Sequence, residues 1–215
     1  MKWADDIKSG IGRRVLASKH KSISRKVRVC NLDDAKRIGI IYNATEYISF
    51  EIIKDLVKQL MDKDVTVGVL GYVDSKDLID HYLYRKGFDF FSKKDLNWYY
   101  RPLSAVAEQF MAEPFDLLLN LSLDDHFPIH YITALSSATF KAGRYFPGNE
   151  SLDLMIDIEK EKQTMRSLHR EIIREAEPSI ENREIEAEVD KKTEIELQLK
   201  FLISQLVHYL SLINK

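Results

Sequence analysis

Apolar residues along this chain fall into two alternating patterns. RIGIIYNA (37–44) and DVTVGVLGYV (64–73) are continuous runs rich in β-branched residues. Between them, Phe50, Ile53, Leu56, Val57 and Leu60 recur at steps of three and four within 46–61. Continuous runs predict strands covered on both faces, and the three-four spacing predicts an amphipathic helix. Strand, helix and strand on short links form a parallel crossover, which is almost always right-handed. The pattern returns as a helix over 104–111, the strand FDLLLNLSL (115–123), a helix beginning near Pro128, and the strands TFKAGRYF (139–146) and LDLMIDI (152–158). Residues 31–158 therefore read as a three-layer α/β domain with a mainly parallel five-stranded sheet, flavodoxin-like or Rossmann-like, in the order 2-1-3-4-5.

Two segments fall outside this plan. In 74–102, Phe88, Phe90, Phe91, Trp98, Tyr99 and Tyr100 lie among Lys93, Lys94 and Arg101. Such a mixture can serve as a base-stacking platform; packing of the aromatics against the sheet edge is the reading preferred here. Residues 159–194 are a charged helical excursion, a hairpin hinged at Pro178 or a helix followed by a flexible link, with only a thin apolar stripe at Met165, Leu168 and Ile172. In 195–215, Ile195, Leu199, Leu202, Leu206, Tyr209 and Ile213 mark a C-terminal helix that covers the open face of the sheet or forms a homodimer seam.

Composition narrows the class. At 215 residues, 45% apolar and 31% charged, the chain is long enough to bury one core without a staple. Its single cysteine excludes an internal disulfide, and its opening, MKWADDIKSG, lacks the apolar run of a secretory signal. A cytoplasmic location is therefore expected, and since no stretch reaches the ~18 apolar residues of a membrane span, any membrane contact is expected to be peripheral. The net charge of -2 conceals an asymmetry: residues 1–29 carry nine Lys or Arg against two Asp. Residues 1–30 are thus a basic N-terminal arm, partly helical, in which Lys8, Arg13, Arg14, Lys19, Lys21, Arg25, Lys26 and Arg28 are available to phosphates, to an anionic membrane or to the acidic body itself.

Ligands of open parallel sheets sit beyond the carboxyl ends of the strands where the winding reverses, which here lies between the first and third predicted strands. Asn43 and Thr45 leave the first strand there, and Asn120, Ser122, Asp124 and Asp125 leave the third, so these six are the candidate ligand-binding residues. The same residue types suit helix capping, with Asn43 and Thr45 opening one helix and Asp124 or Asp125 the next. His126 and His130 stand four apart, but Pro128 between them spoils the same-face geometry of a zinc pair. YNATEY lacks the glycines of a dinucleotide fingerprint, NLSLD lacks those of a nucleophile elbow, and no P-loop occurs. No metal and no cofactor are expected.

The strings AKRIGIIYNAT, FDLLLNLS followed by FPIHYI, ATFKAGRY, LDLMID and HYLSLINK resemble a family of small bacterial proteins described only as a domain of unknown function. That resemblance implies a small intracellular α/β protein and transfers no functional residue. Two roles follow from the residues themselves. One is a binding or assembly module that meets RNA, a ribonucleoprotein or a protein through the basic arm. The other is a small transferase or hydrolase working in the crevice, with Asp124 or Asp125 as acid or base.

Overall fold

The computed structural model describes residues 2–22, 25–76, 87–161, 163–164 and 183–213. Six parallel strands, β1 (Arg37–Asn43), β2 (Thr66–Val73), β3 (Phe88–Ser92), β4 (Leu117–Asn120), β5 (Phe140–Arg144) and β6 (Leu154–Ile156), form one sheet in the order 3-2-1-4-5-6. The helices that flank the sheet among the described residues include α1 (Lys2–Ser22), α2 (Tyr47–Met61), α3 (Ala105–Ala112), α4 (Phe127–Leu135) and α5 (Arg183–Leu212). The α/β class and the parallel sheet agree with the sequence; the sheet has six strands where five were expected, and the five expected ones lie as β2-β1-β4-β5-β6. The difference is β3, an edge strand paired in parallel with β2 from Val69↔Phe88 to Val73↔Ser92.

Side chains alternate across the sheet, as a pleated strand requires. Ile38, Ile40 and Tyr42 of β1 face a core built with α2 and α5, while Ile41 faces the opposite core with Phe110, Phe115, Ile129 and Ile132 from α3, α4 and the approach to β4. Leu199, Leu202, Leu206 and Leu210 of α5 are buried in the first core, so the apolar stripe predicted over 195–215 lies on this chain's own sheet. The helix starts at Arg183, crossing the boundary expected at 194; Pro178 and the stripe at 165–172 lie outside the described residues.

The arm is fixed to the body along its length. Leu16 of α1 packs on Tyr131 and Ala134 of α4, and Gly12 lies so close that a Cβ there would stand 2.7 Å from the Tyr99 carbonyl oxygen and 2.8 Å from the Phe127 ring. Farther on, Arg25 makes a bidentate pair with Asp153, 2.7 Å in each branch, and also donates to the Thr139 carbonyl at 3.1 Å. The Asp153 carboxylate in turn accepts from the Lys141 backbone amide at 2.8 Å, joining the arm to β5.

The aromatics of 74–102 divide. Phe88 and Phe90 pack on Phe50 of α2, and Phe91 is buried against Tyr72 on the other face of the sheet. Trp98 does not pack in the core: it is 62% exposed, on a tight loop held by Asn97, whose side-chain oxygen accepts from the Tyr99 and Arg101 amides.

Candidate functional site

The winding reverses between β1 and β4, which pair from Ile38↔Leu117 to Ile41↔Asn120. Beyond their carboxyl ends lies a crevice of about 210 Å³ lined by Asn43, Thr45, Asp74, Asp124, His126 and, from α5, Lys191 and Leu199 among others. Three of the six predicted ligand residues, Asn43, Thr45 and Asp124, therefore share one crevice. Asn120 and Ser122 lie buried beside it: Asn120 donates to Thr133 Oγ1 at 3.2 Å and accepts from the Ser122 amide, and the Ser122 hydroxyl donates to the Asp124 carbonyl at 2.7 Å. Asp125 faces elsewhere, into a cavity on the α1 side.

The crevice wall is a connected polar network. Asn43 Oδ1 accepts from the Thr45 amide at 3.0 Å and from the Thr45 hydroxyl at 2.6 Å, which leaves its Nδ2 to meet His126 Nε2 at 2.9 Å. An amide nitrogen only donates, so His126 Nε2 must accept and the ring proton resides on Nδ1. Thr45 Oγ1 accepts from the Asp74 amide at 2.9 Å. The Asp74 carboxylate takes the Tyr72 hydroxyl at 2.8 Å and the Lys93 ammonium at 3.0 Å. Strand ends β1, β2 and β3 and the entrance to α4 thus meet in one chain of bonds.

Electrostatics follow from these contacts. Burial opposes ionisation of Asp74, but hydrogen bonds from Lys93 and Tyr72, with the charge of Lys93, outweigh it and hold the carboxyl below its ordinary value. Burial, then the bond to Asp74 and its charge, pushes the Tyr72 phenol upward, so it remains a donor.

Neither capping role holds. The residue before α2 is Glu46 and the residue before α4 is His126, and neither makes a side-chain cap bond. Asn43 closes an Asx turn onto Thr45, and Asp124 reaches His126 only through its backbone carbonyl. Glu46 pairs with Lys191 across the crevice mouth instead. His126 and His130 part company, one in the crevice and one in the α1-side cavity, and among the described residues no group of three or more His, Cys, Asp or Glu is placed to hold a metal ion.

The basic arm also divides. Arg25 is tied to Asp153, and Arg13 lines the α1-side cavity. Arg14, Lys21, Lys26 and Arg28 are exposed and form no ion pair with any described residue. Lys8 and Lys19 are half-buried, with Lys19 placed 6.0 Å from the Tyr131 ring centroid.

Residues 8–174 match the family of unknown function DUF6913. The chain belongs to that family. The match takes in most of α1 and all six strands of this DUF6913 chain, reaching further toward the amino end than the strings that suggested a resemblance, while HYLSLINK lies beyond it. No curated protein and no solved structure matches the chain.

Tyr72, Asp74, Lys93, His126 and Lys191 are among the site residues that sequence reasoning did not nominate. Strand-end position alone marks Asn43 and Asp124, whereas Asp74 enters because β2 ends beside β1, and Lys93 because β3 ends beside β2.

Proposed function

We propose that this protein is a binding module whose α/β body carries a basic arm to a polyanionic partner, foremost RNA or a ribonucleoprotein. The observation that supports this is the state of Arg14, Lys21, Lys26 and Arg28, which are exposed and have no carboxylate partner among the described residues. Beyond residue 29 the chain carries 32 Asp or Glu against 23 Lys or Arg, so acidic groups are abundant. Arg25 of the arm is drawn into an ion pair with Asp153 of the body. Arg14 and Lys21 stand seven apart, two helical turns along one face of α1, which gives a spaced pair of cations suited to successive phosphates.

Catalysis in the crevice is the weaker reading. Asn43, Thr45, Tyr72, Asp74 and His126 are bonded to one another, and the Ser122 hydroxyl is bound to a carbonyl, so no nucleophile stands activated there.

The test is fluorescence anisotropy with a labelled single-stranded RNA, comparing the wild type with Arg14→Glu/Lys21→Glu/Lys26→Glu/Arg28→Glu and with the control Lys58→Glu/Lys192→Glu. Loss of binding in the fourfold variant with unchanged melting temperature, and retention in the control, is the expected outcome. Equal affinities for all three proteins would refute the role of the arm.

A further inference from the structure

A second cavity, of about 330 Å³, opens beyond the carboxyl ends of β4 and β5 on the α1 side of the sheet. Its apolar floor is Leu16 and Ala17 of α1, Ala134 of α4 and Pro147 of the β5–β6 connection. Arg13 and His20 reach it from α1, and His130 from the first turns of α4. Arg13 and His20 are seven residues apart, so they lie two turns apart on one helix face, with Leu16 between them. The side chains of Arg13, His20 and His130 make no hydrogen bond or ion pair with any described residue.

We infer that this cavity binds the anionic head group, phosphate or carboxylate, of a small metabolite whose apolar part rests on Leu16, Ala17, Ala134 and Pro147. Three groups able to carry positive charge converge on one concave space, and each has donor capacity unspent. At His130 burial lowers the affinity for a proton, Asp125 opposes it, and the repulsion of Arg13 and His20 lowers it further. An oxyanion between them relieves that repulsion and accepts the unspent N–H groups, whereas a neutral ligand does neither. The carboxylates Asp125 and Glu150, both exposed, stand at the rim, where they take hydroxyl or ammonium groups from the remainder of the ligand. Arg13 supplies the bidentate fork that suits either head group.

This site is independent of the RNA-binding reading, because Arg13 faces the cavity while that reading rests on Arg14, Lys21, Lys26 and Arg28. The cavity wall does, however, join α1 to the body, so an occupied site would hold the arm in place.

The experiment is an NMR titration of the full chain with histidine side chains labelled, using phenyl phosphate, benzoate and inorganic phosphate as probes, alongside melting temperatures. Saturable shifts of the His130 and His20 resonances are expected with phenyl phosphate or benzoate, with weaker effects from inorganic phosphate, which lacks an apolar part. The tighter of the first two probes identifies the head group. Arg13→Gln should weaken that probe about tenfold or more, the loss expected for one charge-assisted bond, while Lys58→Gln on α2 leaves it unchanged. No saturable shift at either histidine with probe up to about 10 mM, or an affinity indifferent to both Arg13→Gln and His130→Gln, would overturn the inference.

Discussion

Asn43 spends both ends of its amide on neighbours, Oδ1 on Thr45 and Nδ2 on His126, and so fixes the backbone after β1 and the tautomer of the imidazole at once. Asn43→Ala leaves the Thr45 amide and His126 Nε2 without these partners. Chemical denaturation should show a loss of ~1–3 kcal/mol, the usual cost of orphaning half-buried polar groups. Leu or Ala in place of Ser122 addresses a different bond and is expected to act separately. Lys141 is the second residue whose chemistry decides something. Its side chain is 1% exposed, and Nζ donates to the Thr133 and Ala134 carbonyls at 2.7 and 3.1 Å, the orphan acceptors at the end of α4. Burial, then the nearby charge of Arg25, pulls its pKa down to about 7, with Asp153 opposing. A neutral amine has two N–H groups for these two carbonyls, so deprotonation keeps both bonds. Below pH 7 the amine is charged in the folded and unfolded states alike and the burial cost is present in full. As pH rises past about 7 the folded protein loses the proton while the unfolded chain keeps its own up to the ordinary value of 10.5, so stability from this group climbs across that window. The melting temperature of the wild type should therefore gain on that of Lys141→Met between pH 6.5 and 9, and a constant difference would contradict the assignment.

Among the elements, β3 shows where sequence reasoning stops. FDFFS is five residues long, an edge strand with one partner, and its three phenylalanines serve both faces: Phe88 and Phe90 toward α2, Phe91 toward Tyr72. A short aromatic cluster flanked by lysines has no period that separates it from a packed loop, and only the exposed edge of β2 turns it into a strand. The long apolar runs of β1, β2 and β4 were legible because strands covered on both faces need such runs. Packing between β4 and β5 is tighter than any propensity conveys. A Cβ at Gly143 would stand 2.5 Å from the Asn120 carbonyl oxygen, so Gly143→Ala must push the two strands apart beside the crevice. Thermal denaturation should record a loss of ~1–3 kcal/mol, typical of overpacking. On α5, Leu206 is 1% exposed in the core shared with α2, and Leu206→Ala should cost ~2–5 kcal/mol in the same measurement.

At the scale of the whole molecule, the sheet topology brings one set of candidate residues together and separates another. The rule that ligands gather at strand ends where winding reverses placed Asn43, Thr45 and Asp124 in one crevice from sequence alone. Asp125 was nominated with them but points to the α1-side cavity, because the turn into α4 sends adjacent side chains to opposite sides. The basic arm was legible as charge, but its division was not: Arg25 is structural, Arg13 faces a cavity, and four cations remain outward. For Arg13, Arg14 and Lys21 the division depends on which face of α1 meets α4, a tertiary contact set by Gly12 and Leu16, and beyond the helix it depends on the pairing of Arg25 with Asp153.

The salt dependence of RNA affinity tests that outward set most directly. Each cation that neutralises a phosphate on a single strand contributes about 0.7 to the slope of log affinity against log salt. The wild type should bind single-stranded RNA with a steep negative slope, and converting Arg14, Lys21, Lys26 and Arg28 to glutamine should flatten it by about 3 in total. A slope that is the same in the two proteins, with both fully folded, would contradict the account.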